Sequence, residues 1–261
     1  MSTIFFAHAN GFPSACYQPF FEALQSHGHT IDAIDKIGMN PAFPITNNWP
    51  YLVEELEQDI TSRHQEPVIG IGHSLGGMLS YLLANKRPML YSHLILLDPP
   101  VINGWQNIIW WLHKRLGLSD RITPAGSSKK RRTHFANYQE AYDNLRPKRL
   151  FADFPEASFK AYLEHGLKSD GNGGLTLVID LDTELALFRT ASDDLWRYNT
   201  PLSMPGLYLT AEGSEFSKRP FASNLSAKAG LDYRVLQGGH LFPQEHPEET
   251  AAVIAQWLQS Q

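Results

Sequence analysis

The sequence predicts an α/β fold, a mostly parallel sheet flanked by helices, with one long excursion from the repeating pattern. Three observations predict it. Apolar runs of strand length alternate with helix-period segments from the first residues onward. The alternation breaks over 99–203 and then resumes. The hexapeptide Gly72-His73-Ser74-Leu75-Gly76-Gly77 sits where an apolar run turns directly into a helix-period segment.

Ile4–His8 reads as the first strand. Tyr17, Phe20, Phe21 and Leu24 share one face of the helix that follows, and Gly28 stops it. Ile31–Ile37 is the next strand-like run, followed by a loop rich in Pro and Asn. Trp49, Leu52, Val53, Leu56 and Ile60 mark an amphipathic helix ending before Pro67. Val68–Ile71 leads into the hexapeptide, and Met78, Leu79, Leu82 and Leu83 carry the helical period beyond it. His93–Asp98 is a buried-strand pattern halted by Pro99 and Pro100. After the excursion, Leu207–Thr210 and Tyr233–Leu236 are strand-like. The final helix has Pro247 in its first turn, Glu248 and Glu249 at its positive end, and Val253, Ile254, Trp257 and Leu258 on one face.

The excursion is expected to be mainly helical. Trp105, Ile108, Ile109, Leu112 and Leu116 share a helix face, with Asn103 a cap and Gly117 just beyond the end. Phe135, Tyr138, Tyr142 and Leu145 suggest a second helix, and Pro155-Glu156 begins a third that stops at Gly166. Ser169–Gly174 reads as a flexible turn. An excursion between two strands of one sheet is an insertion, so 99–203 is expected to be a lid on a core formed by 1–98 and 204–261.

A chain of 261 residues, 43% hydrophobic and 19% charged, can bury one good core as a soluble protein. A net charge of −5 favours neither nucleic acid nor an anionic membrane as partner. The single cysteine, Cys16, cannot form an internal disulfide, which fits a reducing compartment. Met1-Ser2-Thr3 runs straight into strand-like Ile4, without the regions of a signal peptide. No apolar stretch approaches the roughly 18 residues needed to cross a bilayer. The expected location is the cytoplasm.

The hexapeptide carries the chemistry. A strand, a glycine-flanked serine and a helix form a tight turn that holds the Ser74 hydroxyl clear of the backbone. Gly72 and Gly76 allow the close approach of strand and helix. The same turn aims the Leu75 N–H and a helix N-terminus at the place where negative charge would develop. Serine is a poor nucleophile at neutral pH and needs a base, which in turn needs an orienting group. Of eleven histidines, His240 is favoured, because Gly238-Gly239-His240 follows the last strand-like run. His246 is the alternative, although Pro247 places it at a helix start.

Taken together, Gly72–Gly77, Gly238-Gly239-His240 and Glu245-His246-Pro247-Glu248 resemble the α/β-hydrolase superfamily. The resemblance covers residues 4 to 98 and 205 to 261, and it implies a serine, an acid and a histidine in that chain order. In this family the acid usually follows the strand before the histidine loop. Here that stretch is Ala211-Glu212-Gly213-Ser214-Glu215, which makes Glu215 the first choice. Asp98 is the main competitor, because some members carry the acid one strand earlier, and Glu212 is a third option. The resemblance also implies a second oxyanion donor in the loop after the first strand. His8-Ala9-Asn10-Gly11-Phe12-Pro13 is similar to the family's His-Gly-x-Pro and points to the Phe12 N–H, with a plain turn at Asn10-Gly11 as the alternative. His8 is expected to pack beneath this loop.

Other motifs point to less. His27-Gly28-His29 lacks a carboxylate cluster and reads as surface, so no metal is expected. Lys129-Lys130-Arg131-Arg132 reads as a solvated lid face, and no phosphate loop or dinucleotide fingerprint appears. The lid aromatics, among them Trp105, Trp110, Trp111, Tyr138, Phe151, Phe154 and Phe159, exceed what one helix face can hide and suggest an apolar pocket. The expectation is a cofactor-free serine hydrolase acting on a small to medium apolar carboxylic ester, with a small acyl substrate as its partner. A thioesterase, an amidase, a lyase using the same triad, or a non-catalytic ligand-binding protein are the alternatives.

Overall fold

The computed structural model describes residues 2–101, 105–198, 200–217 and 220–261. The first part of the chain runs β1 (Thr3–Ala7), α1 (Gln18–Ser26), β2 (Thr30–Ala33), α2 (Pro50–Arg63), β3 (Val68–His73), α3 (Leu75–Lys86) and β4 (Tyr91–Leu97). The excursion follows, with α4 (Trp105–Arg115), α5 (Ala125–Ser128), β5 (His134–Phe135), α6 (Tyr138–Leu145), α7 (Glu156–His165), β6 (Leu167–Ser169), β7 (Leu175–Leu177) and α8 (Leu181–Arg189). The chain closes with β8 (Gly206–Ala211), α9 (Phe221–Ala229), β9 (Asp232–Leu236), α10 (Phe242–Glu245) and α11 (Pro247–Gln259).

The main sheet has the order β2-β1-β3-β4-β8-β9, and every pairing is parallel. The central strand β3 is buried along its whole length, which is why its sequence is a continuous apolar run rather than an alternation. The edge strands β2 and β9 are only partly buried. One apolar cluster lies on the α1 and α11 side of the sheet, the other on the α2, α3 and α9 side. The excursion joins both. Phe151, Phe154 and Phe159 enter the first, and Leu187, Leu195 and Met204 the second.

The excursion is helical in most of its regular residues, as expected, with one addition. Besides its helices it holds a small antiparallel sheet, order β5-β7-β6. Phe135, expected on a helix, lies in β5. Ser169–Gly174 is the β6–β7 hairpin turn, where the Asp170 carboxylate accepts from the N–H groups of Asn172 and Gly174 at 2.8 and 2.9 Å. Strands of two or three residues are too short to display a period of two, so their pattern cannot be seen in sequence. Asn103, the expected cap, and the side chain of Trp105 lie outside the described residues. Gly117 ends α4 as expected, with φ 67°.

Glu55 on α2 is a buried carboxylate that accepts a hydrogen bond from the Gly38 N–H at 3.4 Å. Burial, opposed by that bond, raises its carboxyl from 4.5 to about 7, and the nearby Asp59 carboxylate adds to the rise. The folded state therefore holds this proton more tightly than the unfolded chain. Its contribution to stability is complete below pH 4.5 and declines as pH climbs towards 7. Glu55→Gln is expected to flatten that decline and to be more stable than the parent at pH 8. Urea unfolding at pH 5 and pH 8 measures the difference.

Candidate active site

The ends of β1, β3, β4 and β8 meet at one rim of the sheet. Ser74 stands between β3 and α3 with φ 52° and ψ −114°, a conformation that costs a non-glycine residue on the order of 1–3 kcal/mol. Neighbouring backbone holds it there: the Ser74 N–H donates to Leu97 O at 2.8 Å and the Gly76 N–H to His8 O at 3.1 Å. A Cβ on Gly72 would run into the Gly76 carbonyl, and one on Gly76 into the Ala7 carbonyl, closer than any real Cβ contact.

The His240 ring bridges two side chains. Its Nε2 lies 3.0 Å from the Ser74 hydroxyl oxygen, and its Nδ1 2.6 Å from Asp98 Oδ2. The expectation that Glu215 orients His240 is therefore corrected in favour of Asp98. Asp98 directly follows β4, is fully buried and has φ 46°, with its N–H donating to Leu209 O at 2.8 Å. Two hydroxyls hold its carboxylate: Thr210 donates to Oδ1 and Ser214 to Oδ2, each at 2.5 Å. Glu215 and Glu212 are exposed. The loop after β8 thus supplies Ser214, a donor to the acid, where the acid itself was expected. Because β4 and β8 are neighbours, either strand end can reach the same imidazole, and the sequence did not choose between them. His246, the alternative base, opens α11 instead, with its ring packed against the Gly238 backbone.

The expected oxyanion loop is also revised in one atom. The Phe12 N–H donates to Ala9 O at 3.1 Å and closes a turn in which Gly11 has φ 78°. The N–H of Asn10, in the same turn, has no acceptor among the described residues. Leu75 is the first residue of α3, where helical geometry leaves its N–H unpaired. The Gly11 N–H likewise has no acceptor among the described residues, so Asn10 and Gly11 in the loop and Leu75 in the elbow are the unengaged backbone donors near Ser74. The Phe12 ring packs 5.1 Å from Tyr162 and about as far as ring contact allows from Phe151 and Phe154, all from the excursion. Phe216 stands 5.1 Å from the His240 ring.

Buried hydrogen bonds link the three loops. The Ala9 N–H donates to the Tyr17 hydroxyl at 3.2 Å, and that hydroxyl donates to His73 Nδ1 at 2.6 Å. His73 Nε2–H then donates to the His240 carbonyl at 2.9 Å. Burial and the neighbouring His240 ring push the His73 imidazole well below its ordinary pKa, so it stays neutral and able to accept from Tyr17. His8 packs beneath the loop as expected. Its Nδ1–H donates to Ala9 O and its Nε2 accepts from the Ile37 N–H, and burial lowers its pKa to about 4. Tyr17→Phe is expected to cost about 1–3 kcal/mol of stability, because it strands a buried donor and a buried acceptor. Urea unfolding measures it. No sequence pattern signalled Tyr17, Thr210 or Ser214 as parts of the site.

Cys16 is no rival nucleophile: it is buried, and burial drives its thiol pKa up. Among the described residues no group of three or more His, Cys, Asp or Glu is placed to hold a metal ion. A serine hydroxyl on an imidazole that is itself held by a carboxylate is an arrangement able to move a proton off the serine during nucleophilic attack.

The sequence matches the alpha/beta hydrolase family over residues 4–253. The chain belongs to the alpha/beta hydrolase family. Among curated relatives of this alpha/beta hydrolase, Lipase LipV of Mycobacterium tuberculosis is 24% identical over 190 residues, covering 72% of this chain and 67% of LipV. The Abhydrolase domain-containing protein AFT2-1 of Alternaria alternata is 24% identical over 236 residues, covering 75% and 84%. Among solved structures, E-2-(acetamidomethylene)succinate hydrolase superposes with a TM-score of 0.77 at 21% identity, covering 99% of this chain and 91% of that one. The peroxisomal alpha-beta-hydrolase Lpx1 of Saccharomyces cerevisiae has a TM-score of 0.75 at 17% identity, covering 99% and 76%. At these identities the structural likeness establishes the fold, and function rests on the site itself.

Proposed function

We propose that this alpha/beta hydrolase is a serine hydrolase that cleaves a small to medium, apolar carboxylic ester through an acyl-enzyme. The observation that carries the reading is the continuous hydrogen-bonded chain from Ser74 through His240 to Asp98. Ser74 attacks the ester carbonyl carbon while His240 Nε2 takes its proton. Asp98 holds the imidazole in the Nδ1–H tautomer and stabilises the imidazolium that forms. The Leu75 and Asn10 N–H groups receive the carbonyl oxygen as it becomes an oxyanion, each donor contributing on the order of 3 kcal/mol in the transition state. His240 returns the proton to the leaving alcohol, and water, activated by the same ring, releases the acid.

The apolar character of the substrate is supported by the rings at the site, Phe12 with the excursion's Phe151, Phe154 and Tyr162, and Phe216 beside His240. On this reading residues 99–203 act as a cap over the rim. The name of the relative LipV points to ester bonds as well.

A fluorophosphonate probe is expected to label the protein once, with labelling lost in Ser74→Ala. A folded protein that resists the probe would favour a non-catalytic ligand-binding role. A matched panel of ester, thioester and amide substrates then reads the bond type, and faster cleavage of the thioester or the amide would overturn the ester assignment.

A further inference from the structure

Helix α4 inverts the usual burial of an amphipathic helix. The side that meets the rest of the protein carries Asn107 and Trp110, 8% and 2% exposed, together with Lys114. The Trp110 indole N–H donates to Ala191 O at 3.1 Å, Asn107 donates to Asp193 O, and the Lys114 ammonium lies 2.8 Å from the Asp193 carboxylate. Spacings of three and four put these residues on one stripe. The opposite side carries Ile108, Trp111 and Leu112, with Leu116 just past the helix end, and they are 67, 42, 46 and 60% exposed. The apolar face visible in the sequence is thus the one turned to solvent.

The patch continues beyond the helix. Trp196, 63% exposed, shares with Ile108 and Trp111 the wall of a cleft of about 710 Å³. Arg115 lies 4.6 Å over the Trp111 ring, and Arg197 lies 5.3 Å over Trp196. Soluble monomers rarely leave so many large apolar side chains together in water.

Charge selects what covers it. Residues 107–132, from α4 to just past α5, hold seven Lys and Arg against one Asp, within a chain whose net charge is −5; at the cleft itself Lys114 pairs with Asp193 and Arg197 with Asp194. Lys129, Arg131 and Arg132 pair with Asp120, Glu184 and Glu140, whereas Arg115, Arg121 and Lys130 face solvent. A second copy docked by the same patch would set one basic rim against another, so self-association is opposed by charge. An anionic lipid surface answers both features, offering headgroup phosphates to the Arg and Lys side chains and an acyl boundary to the Ile, Leu and Trp side chains.

We propose that α4, together with Trp196, is a docking surface by which this protein binds peripherally to anionic phospholipid bilayers. No helix among the described residues is long and apolar enough to cross a membrane, so the contact lies in the interface. The net charge had argued against a membrane because it averages an acidic body with this basic stretch. The inference stands apart from Ser74 chemistry, since its test reads binding and not cleavage.

Co-sedimentation of the full chain with vesicles of phosphatidylcholine containing phosphatidylglycerol is the test, with tryptophan emission followed in parallel. Binding with a blue shift is expected, weakening with added salt and at least about tenfold weaker on phosphatidylcholine alone. Ile108→Glu with Leu112→Glu is expected to reduce binding at least about tenfold, and Trp196→Ser to reduce it also, both with an unchanged melting temperature because these side chains are exposed. Failure to sediment with the anionic vesicles, equal binding to both compositions, or binding indifferent to the substitutions overturns the proposal. So does a dimer in light scattering that the double substitution dissolves.

Discussion

Asp98→Asn is expected to lower kcat on an ester substrate by about 10⁴-fold, with the protein still folded. Glu215→Gln should leave kcat within about twofold, as befits an exposed surface substitution. The reason lies in donors and acceptors. Asp98 Oδ2 accepts from His240 Nδ1–H at 2.6 Å, and Thr210 and Ser214 already fill the other acceptor positions with O–H donors. An asparagine in that cradle must turn an NH₂ towards one of these donors or towards the ring. If it faces the ring, the imidazole adopts the Nε2–H tautomer, and the nitrogen beside Ser74 can no longer accept its proton. The positive imidazolium would also lose its neighbouring charge in a buried setting, where that charge is worth most. Steady-state kinetics of the two variants decides the matter. A loss in Glu215→Gln that Asp98→Asn does not share would move the acid back to the loop after β8.

Gly76→Ala is expected to be among the most damaging added methyls at the described glycines, costing at least about 3 kcal/mol of stability, at the upper end of overpacking. The added Cβ would collide with the Ala7 carbonyl and its carbon, both backbone atoms of β1. Backbone in the middle of a parallel sheet cannot swing aside as a flexible side chain can. Relief requires α3 to lift from β1, which would break the Gly76 N–H bond to His8 O and shift Ser74 with it. Urea unfolding of Gly76→Ala against the parent measures the loss, and a variant of parental stability would show that the elbow has slack these contacts deny. Stability and activity should fall together here, unlike in Asp98→Asn.

Much of the fold was legible in sequence because the sheet is parallel and covered on both faces. Its inner strands read as uninterrupted apolar runs, as in Val68–His73, and its helices as clear periods, as in Trp49 to Ile60. The short strands at 134–135, 167–169 and 175–177 were not legible, having too few residues to show a period. Ser74 was legible for a local reason: its glycine neighbours answer to a steric demand of the turn that contains it. His240 could be proposed from a glycine-rich loop after the last strand. The acid could not be chosen, because Asp98 and Glu215 are both carboxylates in loops that follow adjacent strands. The face of α4 was read correctly as apolar, but a helical period says which residues lie together and not which way they look.

What the sequence alone determined about this protein was therefore whatever is enforced within one or two turns of chain: the order of strands and helices, the glycines around the serine, the apolar stripes. Tertiary structure alone decided which carboxylate meets His240, which N–H of the first loop is spent on its own turn, and which side of α4 is left to solvent. The first and last of those outcomes depend on groups brought within about 3 Å from distant parts of the chain, as Asp98 is to His240 and Trp110 to Ala191, the range over which a hydrogen bond exists at all. Such contacts leave no periodic trace in the residues that make them.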